Sequence, residues 1–336
     1  MGSKIRAIEY YLPDNKVTNL DLLSRFSDYD FEKFESKVGI KTRYWASQHE
    51  TALDLAVKAC EKLFLRVDKK IIDYVIYCTQ SPEYLLPTTA CILQDRLGLS
   101  TNIGAIDYNL GCSGFVYGVS LAKALIESGQ VENVLLVTAE TYSKYLHPED
   151  KSNMAIFGDG ASATLIAVSD EDMIGDFLFG TDGSGSNKLI IKNGASKYAF
   201  DPNATLLTYG SDNHYTDNHL YMNGPEIFNF TSEYIPKFTG NLLHRNNLSI
   251  EKVDYFVFHQ ANAFMLDFLR KRIKAEKDQF YINLEDGGNT VSNTIPIALK
   301  RLLSDIAIDK EYIIAIVGFG VGLSWAGGII KINNKL

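Results

Sequence analysis

The chain repeats itself. Ile72-Asp73-Tyr74-Val75-Ile76-Tyr77-Cys78 and Val253-Asp254-Tyr255-Phe256-Val257-Phe258-His259 share an apolar-Asp-Tyr opening and the apolar run behind it. Each follows a stretch with helical spacing of apolar residues (51–65 and 225–243), and each precedes another (87–97 and 261–274). Further along, the register that sets Lys123 on Lys300 aligns 120–125 with 297–302 and sets Cys112 on Asn289, with apolar strands following at 134–137 and 313–316. The earlier strands need a slightly different register, so a short length difference falls between the two elements. One matched strand means little; three elements in the same order imply duplication. Strand-helix-strand-helix units of this kind predict two halves with mixed, largely buried sheets, divided as 1–170 and 171–336.

Duplication has a chemical consequence. Cys112 sits in Asp107-Tyr108-Asn109-Leu110-Gly111-Cys112-Ser113-Gly114-Phe115, between a strand and a long apolar helix pattern. The field of a helix N-terminus favours the thiolate, the nucleophilic form of cysteine. The second half supplies His259 at a strand end and Asn289 in Gly287-Gly288-Asn289-Thr290. If the halves pack about a pseudo-twofold axis, these turns meet at one buried centre, and ligands in such sheets bind at strand ends near a topological switch. A nucleophile, an imidazole and an amide donor are the parts needed for acyl chemistry on a thioester. Singly, each has a plainer reading: a buried thiol, a core histidine, a turn asparagine. Their equivalent positions in two repeats point to an enzyme.

The bulk composition narrows the class. With 336 residues, 46% hydrophobic content and 22% charge, the chain can bury a large core as a soluble globular protein. Its 33 Lys and Arg against 41 Asp and Glu, net charge -8, argue against a nucleic-acid partner. The four cysteines show no CxxC spacing, and Cys60, Cys78 and Cys91 read as packing residues in apolar patterns. Met1 to Arg6 lead directly into a strand-like stretch, and no apolar run is long enough for a membrane span, so a reducing cytoplasm is expected. Asp212-Asn213-His214 is echoed by Asp217-Asn218-His219, but the histidines are five apart, not the four of a helical zinc pair, and lie in loop sequence. No metal is expected. The glycine run 318–322 lacks the Lys-Ser/Thr of a phosphate loop. Residues 182–221 are rich in Gly, Ser, Asn, Asp and Lys around two short strands (188–192 and 205–209), as in a lid or tunnel-forming loop.

Five motifs in order resemble the ketoacyl-acyl-carrier-protein synthase III family of thiolase-fold condensing enzymes. They are Cys112-Ser113-Gly114-Phe115, Phe157-Gly158-Asp159-Gly160-Ala161, His259-Gln260-Ala261-Asn262, Gly288-Asn289-Thr290 with Pro296 beyond, and Gly318-Phe319-Gly320-Val321-Gly322 with Trp325 beyond. Together they span nearly the whole chain. The resemblance implies a duplicated thiolase-like α/β fold, two similar halves with mixed five-stranded sheets in a layered sandwich. It implies a decarboxylative Claisen condensation in fatty-acid or related secondary or polysaccharide-linked acyl biosynthesis. Cys112 would carry the acyl group, His259 and Asn289 would stabilise a malonyl-derived enolate, and backbone amides of Cys112, Gly320 and Val321 would form an oxyanion hole. Acyl-CoA or an acyl carrier protein would be the substrate partner, with no cofactor and a homodimeric assembly. The second cysteine of thiolases is missing; Ser324 and Trp325 follow the C-terminal glycines instead.

Several positions depart from the family pattern. Lys151 takes the place of a family Arg near the nucleotide phosphates and Lys37 resembles a basic residue at the tunnel mouth; a Lys keeps the charge but loses bidentate geometry. Phe264 replaces a basic residue after His-Gln-Ala-Asn, with Arg270, Lys271, Arg272 and Lys274 following. The adenine-stacking Trp is absent near Lys33. Leu86 takes the place of a residue that closes the acyl pocket, and Asn262 is a further substrate-binding candidate. Transfer of the acyl group from Cys112 to an alcohol or amine is the alternative activity, and a non-catalytic scaffold the third reading.

Overall fold

Strands Asn133–Glu140 and Tyr312–Gly320 are buried along nearly their whole length because helices cover them on both faces. The computed structural model describes residues 2–307 and 310–333. In the first sheet, the strands lie in the order Gly2–Tyr11, Gly160–Ser169, Asn133–Glu140, Tyr74–Cys78, Gly104–Tyr108. The first two junctions are antiparallel and the last two parallel. The second sheet runs Ile174–Thr181, Ser324–Ile332, Tyr312–Gly320, Tyr255–Phe258, antiparallel twice and then parallel. Order and polarity are the same in both, so the repeat is carried into topology.

The expected fifth strand of the second sheet is reduced to a bridge between Phe256 and Phe280. The Gln279 carbonyl and Tyr281 N–H pair with Phe256, but the next groups go to a side chain: Gln260 donates to the Tyr281 carbonyl and accepts from Asn283 N–H at 2.7 Å. Beyond Phe280, therefore, the segment leaves the sheet and turns toward Asn289.

Between the sheets lie helices Gly114–Glu127 and Thr294–Asp305, the two that follow Cys112 and Asn289. Phe115, Val119, Ile126, Ile295, Leu299 and Leu302 share one cluster with residues of both sheets. Ala52–Phe64 and Thr89–Arg96 cover the outer face of the first sheet, Gly224–Arg245 and Ala263–Ile273 that of the second. The result is the expected layered α/β sandwich. Ala52–Phe64 starts at a Thr51–Asp54 capping box.

Cys91 corrects its reading as a packing residue. The helix Thr89–Arg96 buries Thr89, Ala90 and Leu93, which leaves Cys91 on the solvent side. In 182–221 the two strands form as short ribbons, Leu189–Ile190 against Tyr221–Met222 and Leu207–Tyr209 against Asn213–Tyr215.

Candidate active site

Cys112 occupies the turn before Gly114–Glu127 and is buried. Gly114 has no room for a side chain because the Cys78 sulfur lies against it. From the other half, Gly318 and Gly320 close over Cys112. A Cβ at Gly320 would sit 2.8 Å from the Cys112 sulfur, and one at Gly318 2.7 Å from the Cys112 carbonyl oxygen. This is why the C-terminal run needs those glycines: two backbones touch where the halves meet. Val321 follows with its N–H donating to the Cys112 sulfur. Its φ is not positive, so a β-branched residue fits there.

Burial opposes the expected thiolate. Burial pushes the Cys112 thiol up to about 12, against the pull of the Val321 and Cys112 N–H groups. That rise is worth about 4 kcal/mol against the anion, more than the roughly 2 kcal/mol a helix N-terminus returns at best. Burial thus favours the neutral thiol over the thiolate that the helix field would stabilise.

His259 follows strand Tyr255–Phe258, and its N–H bonds to the Val317 carbonyl. Burial pushes its imidazolium down to about 3, so the ring is neutral. Its Nδ1 lies 2.7 Å from Thr294 Oγ1, which is also 3.1 Å from the Val291 carbonyl. A hydroxyl has one hydrogen. With that hydrogen on Val291, Nδ1–H donates to Thr294 and Nε2 holds a lone pair; turned to Nδ1, it leaves the proton on Nε2. Thr294 thus admits either tautomer. Asn289 Nδ2 stands 3.5 Å from Nε2.

Asn289 is held from three directions. Its N–H donates to the Ile156 carbonyl, its carbonyl accepts from Gly158 N–H, and its Oδ1 accepts from Val291 N–H at 2.9 Å. Holding Oδ1 this way leaves the amide N–H groups turned toward His259. The Phe157–Ala161 motif is thereby explained: Phe157 pairs with Asn289 as a parallel bridge, and Gly158 passes against the Gly287 carbonyl with no space for a Cβ. Asp159 anchors the motif by accepting from Ala46 N–H and from Ser143; burial raises it to about 6.

Cys112, His259 and Asn289 line a single cavity of about 140 Å³ with Phe157, Leu189, Met222, Ile227, Met265 and Phe319. It shares Ile156, Met222 and Gly224 with a wider outer cleft of about 780 Å³. The structure therefore brings together the three residues picked out by the repeat.

The whole chain has counterparts among known proteins. A Clostridium perfringens protein described as beta-ketoacyl-[acyl-carrier-protein] synthase III is 35% identical, the match covering 98% of this chain and 99% of that one. The chain belongs to the 3-oxoacyl-[acyl-carrier-protein] synthase III family. Residues 106–183 match that family's model and 243–332 its C-terminal model. A solved 3-oxoacyl-(acyl-carrier-protein) synthase III superposes with a TM-score of 0.96 at 45% identity, over 99% of this chain and 100% of the other. A priming beta-ketosynthase of the R1128 polyketide pathway gives 0.88 at 28% identity, over 100% and 97%.

The remaining candidates of this synthase III chain are scattered. Asn262 lines the cavity and caps Ala263–Ile273, its side chain accepting from Met265 N–H. Lys151 lines the outer cleft but is buried and ion-paired with Asp28 at 2.8 Å. Lys37 lies 4.9 Å over the Phe264 ring, and neither lines the cavity or the cleft. Leu86 is 83% exposed, away from both. Arg270 and Lys271 share Asp267 as an ion-pair partner. His214 pairs with Asp212 and His219 stacks edge-on with His147; among the described residues no cluster could hold a metal.

Sequence reasoning missed Thr294, Val291 and Glu140. Val291 is β-branched at φ 59, a strained conformation whose two backbone groups reach both Asn289 and Thr294. Buried Glu140 accepts from Ser292, from Ser81 and from the Gln80 N–H, and burial raises it to about 8. A Thr five residues beyond Asn289 was the one available signal.

Proposed function

We propose that the chain condenses an acyl group held on Cys112 with a malonyl thioester, releasing carbon dioxide and a 3-oxoacyl thioester. The observation that carries this reading is the single cavity shared by the sulfur, the imidazole and the carboxamide. In the first step the sulfur attacks the acyl thioester carbonyl, the donor thiol leaves, and the Cys112 proton goes to the departing sulfur. The Val321 N–H beside the sulfur supports the transient oxyanion; one such donor is worth about a hundredfold in rate. In the second step the malonyl carbon–carboxylate bond breaks and its electron pair moves toward the thioester oxygen. Asn289 Nδ2–H and His259 Nε2–H, with the Thr294 hydroxyl turned to Nδ1, stabilise that oxygen. The carbanion then bonds to the acyl carbon as its bond to Cys112 breaks, and the thiolate regains a proton from water.

Neutrality suits this chemistry. A charged imidazolium is disfavoured by burial, so His259 acts by hydrogen bonding, and charge exists only while substrate is bound. Acyl-CoA or an acyl carrier protein supplies the thioesters. We infer a cytoplasmic homodimer: Tyr84, Leu85 and Leu86 form an exposed apolar run, and strand Gly104–Tyr108 is the outermost of its sheet. No helix is long and apolar enough to cross a membrane among the described residues.

The test is intact-protein mass spectrometry after exposure to acyl thioesters, then addition of a malonyl thioester. The expected result is acyl mass on Cys112, absent in Cys112→Ala, followed by carbon dioxide release and a 3-oxoacyl product. Acylation without that release would refute the condensation.

A further inference from the structure

The condensation leaves one buried acid without a task. Glu140 ends the strand Asn133–Glu140 and is fully buried. Its partners are divided between the two halves. One oxygen accepts from Ser292 Oγ at 2.8 Å, in the second half. The other accepts from Gln80 N–H at 3.0 Å and Ser81 Oγ at 3.2 Å, in the first. None of these partners is a cation. Ser292 lies in the single turn Val291–Asn293, with Asn289 before it and Thr294 after it. Val291 is the strained member at φ 59, and its N–H donates to Asn289 Oδ1 while its carbonyl accepts from Thr294 Oγ1. A β-branched residue keeps a positive φ only where its neighbours hold it there. Two anchors reach this turn from the first half: Glu140 on Ser292, and Thr138 with the Gly160 carbonyl on Asn293. Both segments tied by Glu140 also flank the turn of Cys112. A Cβ added at Gly111 would meet Gln80 Oε1 at 2.6 Å and Val291 Cγ1 at 3.3 Å.

We propose that Glu140 is a positioning residue for decarboxylation: through Ser292 it holds the Val291 turn that aims the Asn289 amide and seats Thr294 behind His259. The inference rests on the condensation reading. Glu140 does not line the cavity, so it acts through the turn and not on substrate. Without the Ser292 anchor the turn relaxes, and Val291 carries the Asn289 amide and the Thr294 hydroxyl with it. A misplacement of about 1 Å costs roughly a hundredfold in rate. The Asn293 anchor remains, which limits the loss to roughly tenfold. Cys112 and the Val321 N–H beside it are held by other contacts, so acylation is spared.

The experiment measures two half-reactions separately: acylation of Cys112 by mass spectrometry, and carbon dioxide release when a malonyl thioester meets the acylated enzyme. Ser292→Ala removes one oxygen, and Glu140→Met removes the carboxyl while filling its volume. Both should lower kcat for carbon dioxide release roughly tenfold, with KM for the malonyl thioester and the acylation rate within about twofold of wild type. Glu140→Gln should bring release back to within about threefold, because its oxygen accepts from Gln80 N–H and its amide donates to Ser292 Oγ. Ser81→Ala is the control. It takes another hydroxyl from the same carboxyl and unpairs Thr141 N–H, so it should lower the melting temperature and leave the ratio of the two rates unchanged. A ratio unchanged in Ser292→Ala and Glu140→Met, both folded by circular dichroism, overturns the proposal, as does an equal change in Ser81→Ala. Wild type that acylates Cys112 but releases no carbon dioxide instead overturns the condensation reading beneath it.

Discussion

Replacing Gly320 by Ala is the sharpest test of how the two halves build the surroundings of Cys112. The new Cβ would lie 2.8 Å from the Cys112 sulfur and 2.9 Å from its Cβ. Carbon contacts settle at about 3.5–4.0 Å, so one side must retreat by roughly 0.7–1 Å. Neither has slack: Gly318 is already pressed on the Cys112 carbonyl, and Gly114 on Cys78. The turn therefore moves outward and takes the Val321 N–H away from the sulfur. A misplacement of that size costs about a hundredfold in rate, the same scale as losing one oxyanion donor. Crowding also lowers stability by about 1–3 kcal/mol. Rapid-quench mass spectrometry of Cys112 acylation reads the first effect, and urea unfolding the second. Folded Gly320→Ala that acylates within about threefold of wild type would show that the contact does not position the turn.

Three other outcomes are expected. Thr294→Val should slow malonyl decarboxylation about tenfold or more and leave Cys112 acylation nearly unchanged, with Thr294→Ser restoring it; equal losses in both steps would assign Thr294 to packing alone. Gly158→Ala should force the Gly287 carbonyl away and loosen Asn289, lowering condensation more than acylation in a paired assay of the two half-reactions. Glu140 sets a pH dependence of stability. Its folded value near 8 lies above the ordinary 4.5, so the fold favours the protonated carboxyl. The associated stability is complete below pH 4.5 and is lost as pH rises toward 8. Glu140→Gln should flatten the melting-temperature profile across that window, and parallel profiles for the two proteins would count against it.

The fold was readable because its buried strands are duplicated: Ile72–Cys78 and Val253–His259 announce equivalent places in two sheets, and the apolar runs between them leave little choice of layer. Cys112 and Asn289 fell out of the same register. What the residues could not announce is how each group is held. The thiol was expected to ionise at a helix N-terminus, but its burial depends on Gly318 and Gly320, which lie in the other repeat. The tautomer of His259 hangs on a threonine hydroxyl, and Lys151 was legible as a charge but not as one bound by Asp28, since loop 27–30 has no periodic signal. Gln260 is legible only as a member of the His-Gln-Ala-Asn motif, not as the amide that binds Tyr281 and Asn283 where a fifth strand would continue.

The Phe157–Asn289 bridge has a consequence for the protein's history and its engineering. Asn289 is stitched by an isolated bridge to a residue of the opposite repeat, and Cys112 is roofed by the other repeat's glycines. The apparatus is a seam. Expressed as two separate polypeptides, the repeats should regain turnover only on assembly, because Cys112 comes from one repeat and His259 and Asn289 from the other.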